Sequence, residues 1–475
     1  MPDILQPDIC VIGAGSGGLS VAAAAAAFGV PVVLIERGRM GGDCLNYGCV
    51  PSKSLLAAAR HAAAFRHAAD FGITYSRPTI DFARVREHVR GVIAAIAPND
   101  STERFTGLGV RVIAGTARFN DAATVAVGDD FEIKARRFVV ATGSSPAIPP
   151  IPGLAETPHL TNETIFDLAE CPAHLLVIGA GPIGLELAQA FRRLGAAVTV
   201  LEAATPLAHD DPECAAIVLD QLARDGVAIR AGVAVRRVAG AGRKVQVVVG
   251  TADREETIEG SHLLVATGRT PNVAELGLER AGIACEPRGI VVDKRLRTTN
   301  KRVYAIGDVA GGLQFTHVAN YHAGLVVRHA LFRLPVAASS DALPWVTFTD
   351  PELAHVGLTE AAARLRGIAF QVLRWPYHEN DRAQAERATH GHIKVITSRR
   401  GRILGATIVG HNAGELIAAW SLAVSRRLNV RAMATMVLPY PTLSEIGKRA
   451  AIARYSGSLT GPMVRRIIAL LRRLG

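Results

Sequence analysis

One arrangement occurs twice in this chain and leaves few folds open to it. The run ICVIGAGSGG sets four apolar residues, 9–12, directly before Gly13, Gly15 and Gly18. An alanine-rich helical stretch follows, and the strand-like VPVVLIE closes on Glu36, 23 residues after Gly13. LLVIGAGPIG repeats the pattern with Gly179, Gly181 and Gly184, and AAVTVLE ends on Glu202, again 23 residues after the first glycine. Strand, glycine turn, helix and second strand make a βαβ unit. Its glycines let the backbone approach a pyrophosphate, its helix N-terminus favours the negative charge, and its final carboxylate accepts from a ribose hydroxyl. Two such units predict two dinucleotides, and the simplest partition is one bound flavin dinucleotide, FAD, and one exchanging nicotinamide dinucleotide.

Further segments support that partition. FVVATGSSP (138–146) and LLVATGRTPN (263–272) each place a strand before an ATG, with Gly143 and Gly268 closing the two nucleotide units. VYAIGDVAGG (303–312) delivers Asp308 from a strand end, where a ribityl hydroxyl can be held. Glu202 pairs with a free 2′-hydroxyl and repels a 2′-phosphate, and Ala203, Ala204 and Thr205 offer no arginine to receive one. NADH is therefore favoured over NADPH, unless Arg224, Arg230 or Arg243 folds back toward the site.

Charge and hydropathy exclude other classes. The net charge is +11, yet aromatics are 5% and no basic run is interleaved with them, so a nucleic-acid surface is not expected. Residues 9–35 carry no charge, but glycines and Pro31 break the run, and no basic flank or cleavage pattern accompanies it. A cytoplasmic protein is expected. The stretch GPMVRRIIALLRRLG (461–475) has four arginines and no acid, with Val464, Ile467, Leu471 and Leu474 at helical spacing. This basic amphipathic helix is expected to dock on its own domain, with peripheral membrane contact or a partner as the alternatives.

Six cysteines are too few for a disulfide scaffold in 475 residues, and Cys10, Cys171, Cys214 and Cys285 read as structural. Cys44 and Cys49 are different, lying in GGDCLNYGCVPSK (41–53) between a glycine pair and a proline. Residues five apart in a regular helix are ~7.5 Å apart along its axis, and a disulfide tolerates a Cα separation of at most about 6.8 Å. If they bond, Cys44 must lie in a turn before a regular helix, with Gly41-Gly42 making the turn and Asp43 its N-cap. A helix N-terminus favours a thiolate. No second pair or spaced histidines complete a metal site, and a redox pair uses every residue of the stretch.

This segment closely resembles the active-site segment of the flavin-dependent pyridine nucleotide–disulfide oxidoreductases, the family of dihydrolipoamide dehydrogenase, glutathione reductase and mercuric reductase. The resemblance runs from the first glycine motif to about Arg449. It implies a homodimer with the active site at the subunit interface and FAD tightly bound. It also implies that electrons pass from the nicotinamide through the flavin to a Cys44–Cys49 disulfide, with Cys49 facing the flavin and Cys44 meeting substrate. Lys53 falls on the lysine that approaches the flavin, and Glu186, in GPIGLELA, on its glutamate partner. A cation beside the ring stabilises charge as the ring is reduced, and its burial needs a carboxylate.

LPYPTLSEI (438–446) departs from the family. Glu445 is present, but Tyr440 stands where disulfide reductases carry the histidine of a His–Glu dyad. A phenol with a pKa near 10 is a poor base at neutral pH. His317, His322 and His378 are the candidates to replace it. Tyrosine here, with QFTHVAN after the GD motif, is more similar to mercuric reductases, whose thiolate-bound Hg(II) needs soft ligands and electrons. ALLRRLG lacks the C-terminal cysteine pair of that branch, no N-terminal metal-carrier domain is expected, and the NADH preference is a further mismatch. Asp43 also departs from the family, and a carboxylate beside Cys44 raises its thiol pKa.

The expected architecture is α/β, with two Rossmann-like dinucleotide-binding domains and a C-terminal α+β dimerisation domain. The flavin domain spans 1–150 and is completed by 274–340, the NAD domain is 151–273, and the dimerisation domain is 341–475. The expected function is an FAD-dependent oxidoreductase acting on a thiol, disulfide or thiol-bound metal. Dihydrolipoamide dehydrogenase, a diaphorase or transhydrogenase-like flavoprotein, and a non-catalytic membrane-associated protein are the alternatives.

Overall fold

The computed structural model describes residues 2–74, 76, 78–242, 244–250, 254–459 and 461–474. The chain divides into two compact units, one of residues 1–203 and 229–340 and one of residues 204–228 and 341–475.

In the first unit the apolar run Ile9–Ile12 is buried on both faces, as strands of a parallel sheet must be. It pairs in parallel with Val32–Glu36 and with Arg137–Val140, and the five-stranded sheet is completed by Val110–Ala114 and Val303–Ala305. The helix Ser16–Ala27 crosses over between the first two strands. A second parallel sheet repeats the plan: His174–Ile178 is flanked by Ala197–Glu202 and His262–Val265, with the helix Pro182–Arg193 as crossover. The glycine turns and Asp308 thus stand at the carboxyl ends of parallel strands, where ligands of such sheets bind.

The two ATG segments are joined directly. Ser144–Pro146 pairs antiparallel with Arg269–Pro271. Asn272 stitches the junction, its amide nitrogen donating to the Thr142 carbonyl at 2.9 Å and its oxygen accepting from Ser145 Oγ at 2.9 Å.

The second unit is built on a five-stranded antiparallel sheet in the order Pro344–Thr347, Glu352–Gly357, Ile403–Gly410, His392–Ser398, Phe370–Pro376. The helices Ala413–Ser425 and Glu445–Leu459 cover it, and Trp420, Tyr377 and Ile446 lie in its core. The helix Pro212–Asp225 groups with this unit rather than with the rest of 151–273, and a buried ion cluster explains why. Lys394, 5% exposed, donates to Asp211 Oδ2 at 2.7 Å, and its Nζ lies 2.8 Å from Glu360 Oε2 and 3.2 Å from Glu213 Oε2. Asp211 also caps the helix, accepting from the Glu213 amide at 3.1 Å.

The helix Pro462–Leu471 forms, but none of its side chains is buried. The expected docking onto its own domain is therefore corrected: Met463 is 75% and Leu474 77% exposed. Helical periodicity reports a segregated face, not what covers it. Among the described residues no helix is long and apolar enough to cross a membrane.

Lys394→Met leaves Asp211, 1% exposed, buried beside an apolar stem. Breaking such a cluster from one side costs about 3–5 kcal/mol, to be read as a lower midpoint in urea unfolding. Acid should act on the same cluster. Hydrogen bonds from Arg374, with help from Lys394, hold the Glu213 carboxyl down at about 2. Its stabilising contribution is thus complete above the unfolded value of about 4.3 and is lost as pH falls through about 2. A pH series of unfolding midpoints should show that loss in the wild type and a smaller one in Lys394→Met.

Candidate active site

The two glycine turns are copies in geometry as well as in sequence. Gly13 and Gly179 have φ of +104° and +106°, in the region that favours glycine. A Cβ on Gly18 would lie 1.9 Å from the Gly13 carbonyl oxygen, and one on Gly184 2.1 Å from that of Gly179. The helices that follow start at Gly15 and Gly181 with no side-chain cap, and open space lies before both glycines. Uncapped first-turn amides facing open space fit a pyrophosphate in each unit. The carboxylates sit over the same turns: Glu36 accepts from the Ala14 amide at 2.6 Å and Glu202 from the Ala180 amide at 2.8 Å. Arg230 is ion-paired with Glu256 at 2.8 Å, Arg224 is an exposed residue of the helix Pro212–Asp225, and Arg243 lies outside the described residues.

The cysteines are arranged differently from the expectation. Gly41, with φ of +87°, takes the N-cap position, and Cys44 lies inside a one-turn helix, Gly42–Asn46. The helix ends at Tyr47-Gly48, and Cys49 is the first residue of the long helix Cys49–Ala64. Asp43 is thus not a cap, because the left-handed glycine ahead of it starts the helix two residues too early. The break sets Cys44 in the one-turn helix just ahead of Cys49, and both cysteines are free thiols.

Charge at this pair is asymmetric. The hydrogen bond from Cys44, then the Thr316 hydroxyl and the Lys53 charge, draw the Cys49 thiol down to about 6 against partial desolvation and the Asp43 charge. Cys44 moves the other way, pushed up by holding its proton toward Cys49 and by burial. Cys49 is also the residue at which unpaired helix amides favour an anion. Thr316 Oγ1 lies 3.4 Å from Cys49 Sγ, at the start of the helix Thr316–Phe332. Sequence reasoning weighed the neighbouring His317 and missed Thr316; the only available signal was that FTHVAN opens a helix.

Lys53 lies one turn beyond Cys49, and its Nζ donates to Glu186 Oε2 at 2.9 Å; the Glu186 side chain is only 6% exposed. The bond ties the helix that begins at Cys49 to the crossover helix of the second nucleotide unit. On the other side of the cysteines, Asp43 Oδ1 lies 3.2 Å from an Arg269 nitrogen and accepts from Asn162 at 3.1 Å. Arg269 also donates to Ser144 Oγ at 2.7 Å, and Ser144 Oγ donates to Asp308 Oδ2 at 2.6 Å. Burial pushes the Asp308 carboxyl up, against this hydrogen bond and the Arg269 charge. Gly143 and Gly268 flank the network at positive φ with open space beside them.

Tyr440 and Glu445 lie in the second unit. Tyr440 is 70% exposed and its hydroxyl donates to Asp381 Oδ2 at 2.7 Å, a bond that raises its already high pKa. Glu445 opens the helix Glu445–Leu459. His322 Nδ1 accepts from the Gly307 amide at 3.2 Å, His317 stacks on Phe315, and His378 is exposed in a short turn. Among the described residues no cluster of histidine, cysteine and acidic side chains suits a metal ion.

Residues 7–323 match the family described as pyridine nucleotide-disulphide oxidoreductase, and residues 343–451 match its dimerisation domain. A mercuric reductase of Streptomyces lividans is 37% identical, over 94% of this chain and 95% of its own. A dihydrolipoyl dehydrogenase of Geobacillus stearothermophilus is 35% identical, over 94% and 96%. The solved structure of the HOCl-induced flavoprotein disulfide reductase RclA from Escherichia coli superposes with a TM-score of 0.83 at 31% identity, over 94% of this chain and 99% of that one.

Titration of the reduced protein at 240 nm should show one thiolate forming with a midpoint near 6. Cys44→Ala removes the hydrogen-bond donor and moves that midpoint up toward the ordinary thiol value of about 8.5. Asp43→Asn removes a charge that disfavours the thiolate and moves it down.

Proposed function

The chain belongs to the pyridine nucleotide–disulphide oxidoreductases, FAD-dependent enzymes that act on sulfur groups with NAD(P)H, and from that premise we propose that it reduces a thiol-bound soft metal ion of the mercuric type. The observation that carries the reading is Tyr440. Its proton is held toward Asp381, and its pKa is raised further above neutrality. It is unsuited to take or return a substrate proton, and a dithiol–disulfide exchange needs that transfer. A metal bis-thiolate needs none: the hydride lost by the nicotinamide supplies two electrons, which release the metal atom and two thiolates, and one proton, which passes to solvent or to a released thiolate.

FAD, when bound, supplies the two-electron connection between the nicotinamide and the thiols. The first glycine turn, Glu36 and Asp308 are the residues proposed to hold it. The second turn and Glu202 are proposed to hold NADH, the carboxylate disfavouring a 2′-phosphate. Cys49 serves as the thiolate on the flavin side, steadied by Lys53 and Thr316, and Cys44 is the thiol offered to substrate. Lys53 is anchored at the site by its ion pair with Glu186. The proposed domains are a flavin domain of 1–150 and 274–340, a nicotinamide domain of 151–273 and a dimerisation domain of 341–475. The match over 343–451 supports a homodimer, in which the thiol pair of one chain meets the partner subunit's Tyr440 and the partner subunit's Glu445. Because NADH and reduced thiols are supplied together in the cytoplasm, that is the compartment proposed.

One enzyme preparation assayed at neutral pH with NADH, against Hg(II) in excess thiol and against lipoamide, tests the reading. Mercury turnover without lipoamide turnover is expected, and Cys49→Ala should abolish it. Robust lipoamide turnover overturns the metal assignment in favour of a dihydrolipoamide dehydrogenase. Quinone turnover that alone survives Cys49→Ala marks a diaphorase. NADPH should be used at least about tenfold less efficiently than NADH, a difference of about 1.4 kcal/mol, with Glu202→Ala narrowing the gap.

A further inference from the structure

We propose that residues 461–474 are a docking helix for an anionic lipid surface, independent of the redox site. At 3.6 residues per turn, Met463, Val464, Ile467, Ile468, Leu470 and Leu471 fall in a single arc of about 160°. Arg465 and Arg466 lie outside that arc near its two edges, and the turn that follows adds Arg472 and Arg473. Only the small Ala469 and the first-turn Pro462 share the arginines' side of the helix. Every large apolar side chain from Ile467 to Leu471 is exposed, as are Met463 and Leu474.

Charge decides among the occupants of this face. Residues 446–475 contain seven lysines and arginines and no acidic residue. A second copy of the helix packed on the first would set arginines against arginines with no carboxylate from either segment between them. An anionic headgroup layer supplies the missing negative charge at the level of the arginines and an apolar layer just beneath it. A short helix with arginines at the margins of its apolar face lies in the plane of such an interface, its long cationic side chains reaching up to the headgroups. No described helix crosses a membrane, so the contact is peripheral and reversible.

The test is sedimentation of the full-length, flavin-loaded protein with phosphatidylcholine vesicles, with and without phosphatidylglycerol. Binding to the anionic vesicles alone, weakened by salt, is expected. Arg465→Gln with Arg466→Gln should weaken it about 30-fold, at the usual contribution of each basic residue near a charged leaflet. Ile467→Glu with Leu471→Glu should abolish it, with flavin content and unfolding midpoint unchanged because no side chain of this helix is buried. Failure of the wild type to bind, or equal binding by the glutamate variant, overturns the proposal. So does a fall in that variant's unfolding midpoint, which would mean that the face packs on the protein. A wild-type mass by light scattering that drops in the same variant would make the occupant a second copy and overturn it too.

Discussion

The first turn of the helix Cys49–Ala64, where a sulfur meets unpaired helix amides, is the constraint around which this site is arranged. The helix amides at Cys49 have no backbone partners of their own, and the neighbouring Cys44 draws the Cys49 thiol pKa down while its own moves up. Lys53 supplies the countercharge from the next turn of the same helix, and a threonine hydroxyl arrives from the start of another. The opposing carboxylate, Asp43, is kept from dominating because Arg269 and Asn162 engage it. Removing any one of these shifts the balance between the two thiols, which is what an asymmetric dithiol depends on.

The glycine turns were legible because the pattern constrains backbone as well as side chain. Glycines at fixed spacing, ahead of a helix and followed by a strand-end carboxylate, describe one loop, and both copies adopt it with nearly the same φ at the first glycine. The cysteines were legible as a pair but not as a geometry. Whether Asp43 or Gly41 begins the helix depends on two left-handed glycines, Gly41 and Gly42, and hydrophobic pattern carries no trace of them. Lys53 and Glu186 could be joined in advance only by family resemblance, since no local rule relates residues so far apart. Thr316 was hidden behind a more conspicuous histidine.

The departure at Tyr440 gains weight from its surroundings. A tyrosine in place of a histidine is a change of residue type; a tyrosine whose hydroxyl is committed to Asp381 is a change of chemistry. If Tyr440 takes the place of the family histidine, as proposed, the proton-transfer capacity that disulfide substrates require is reduced twice over, by the phenol itself and by the carboxylate beside it. On the proposed reading, the thiol pair would give a soft metal two neighbouring sulfur donors, one of them with a lowered pKa.

The pairing of Ser144–Pro146 with Arg269–Pro271 also bears on how such proteins exchange parts. The chain leaves and re-enters the first nucleotide unit on adjacent rungs, so the intervening segment resembles a cassette with its two ends side by side. Yet that cassette carries the helix Pro212–Asp225, whose Asp211 and Glu213 neutralise Lys394 beneath the sheet of the second unit. A chimaera that swapped the whole segment for a relative's would bring foreign carboxylates to that lysine. Recombination that preserves the fold must therefore respect a seam near residues 204–228, not only the two ends of the cassette.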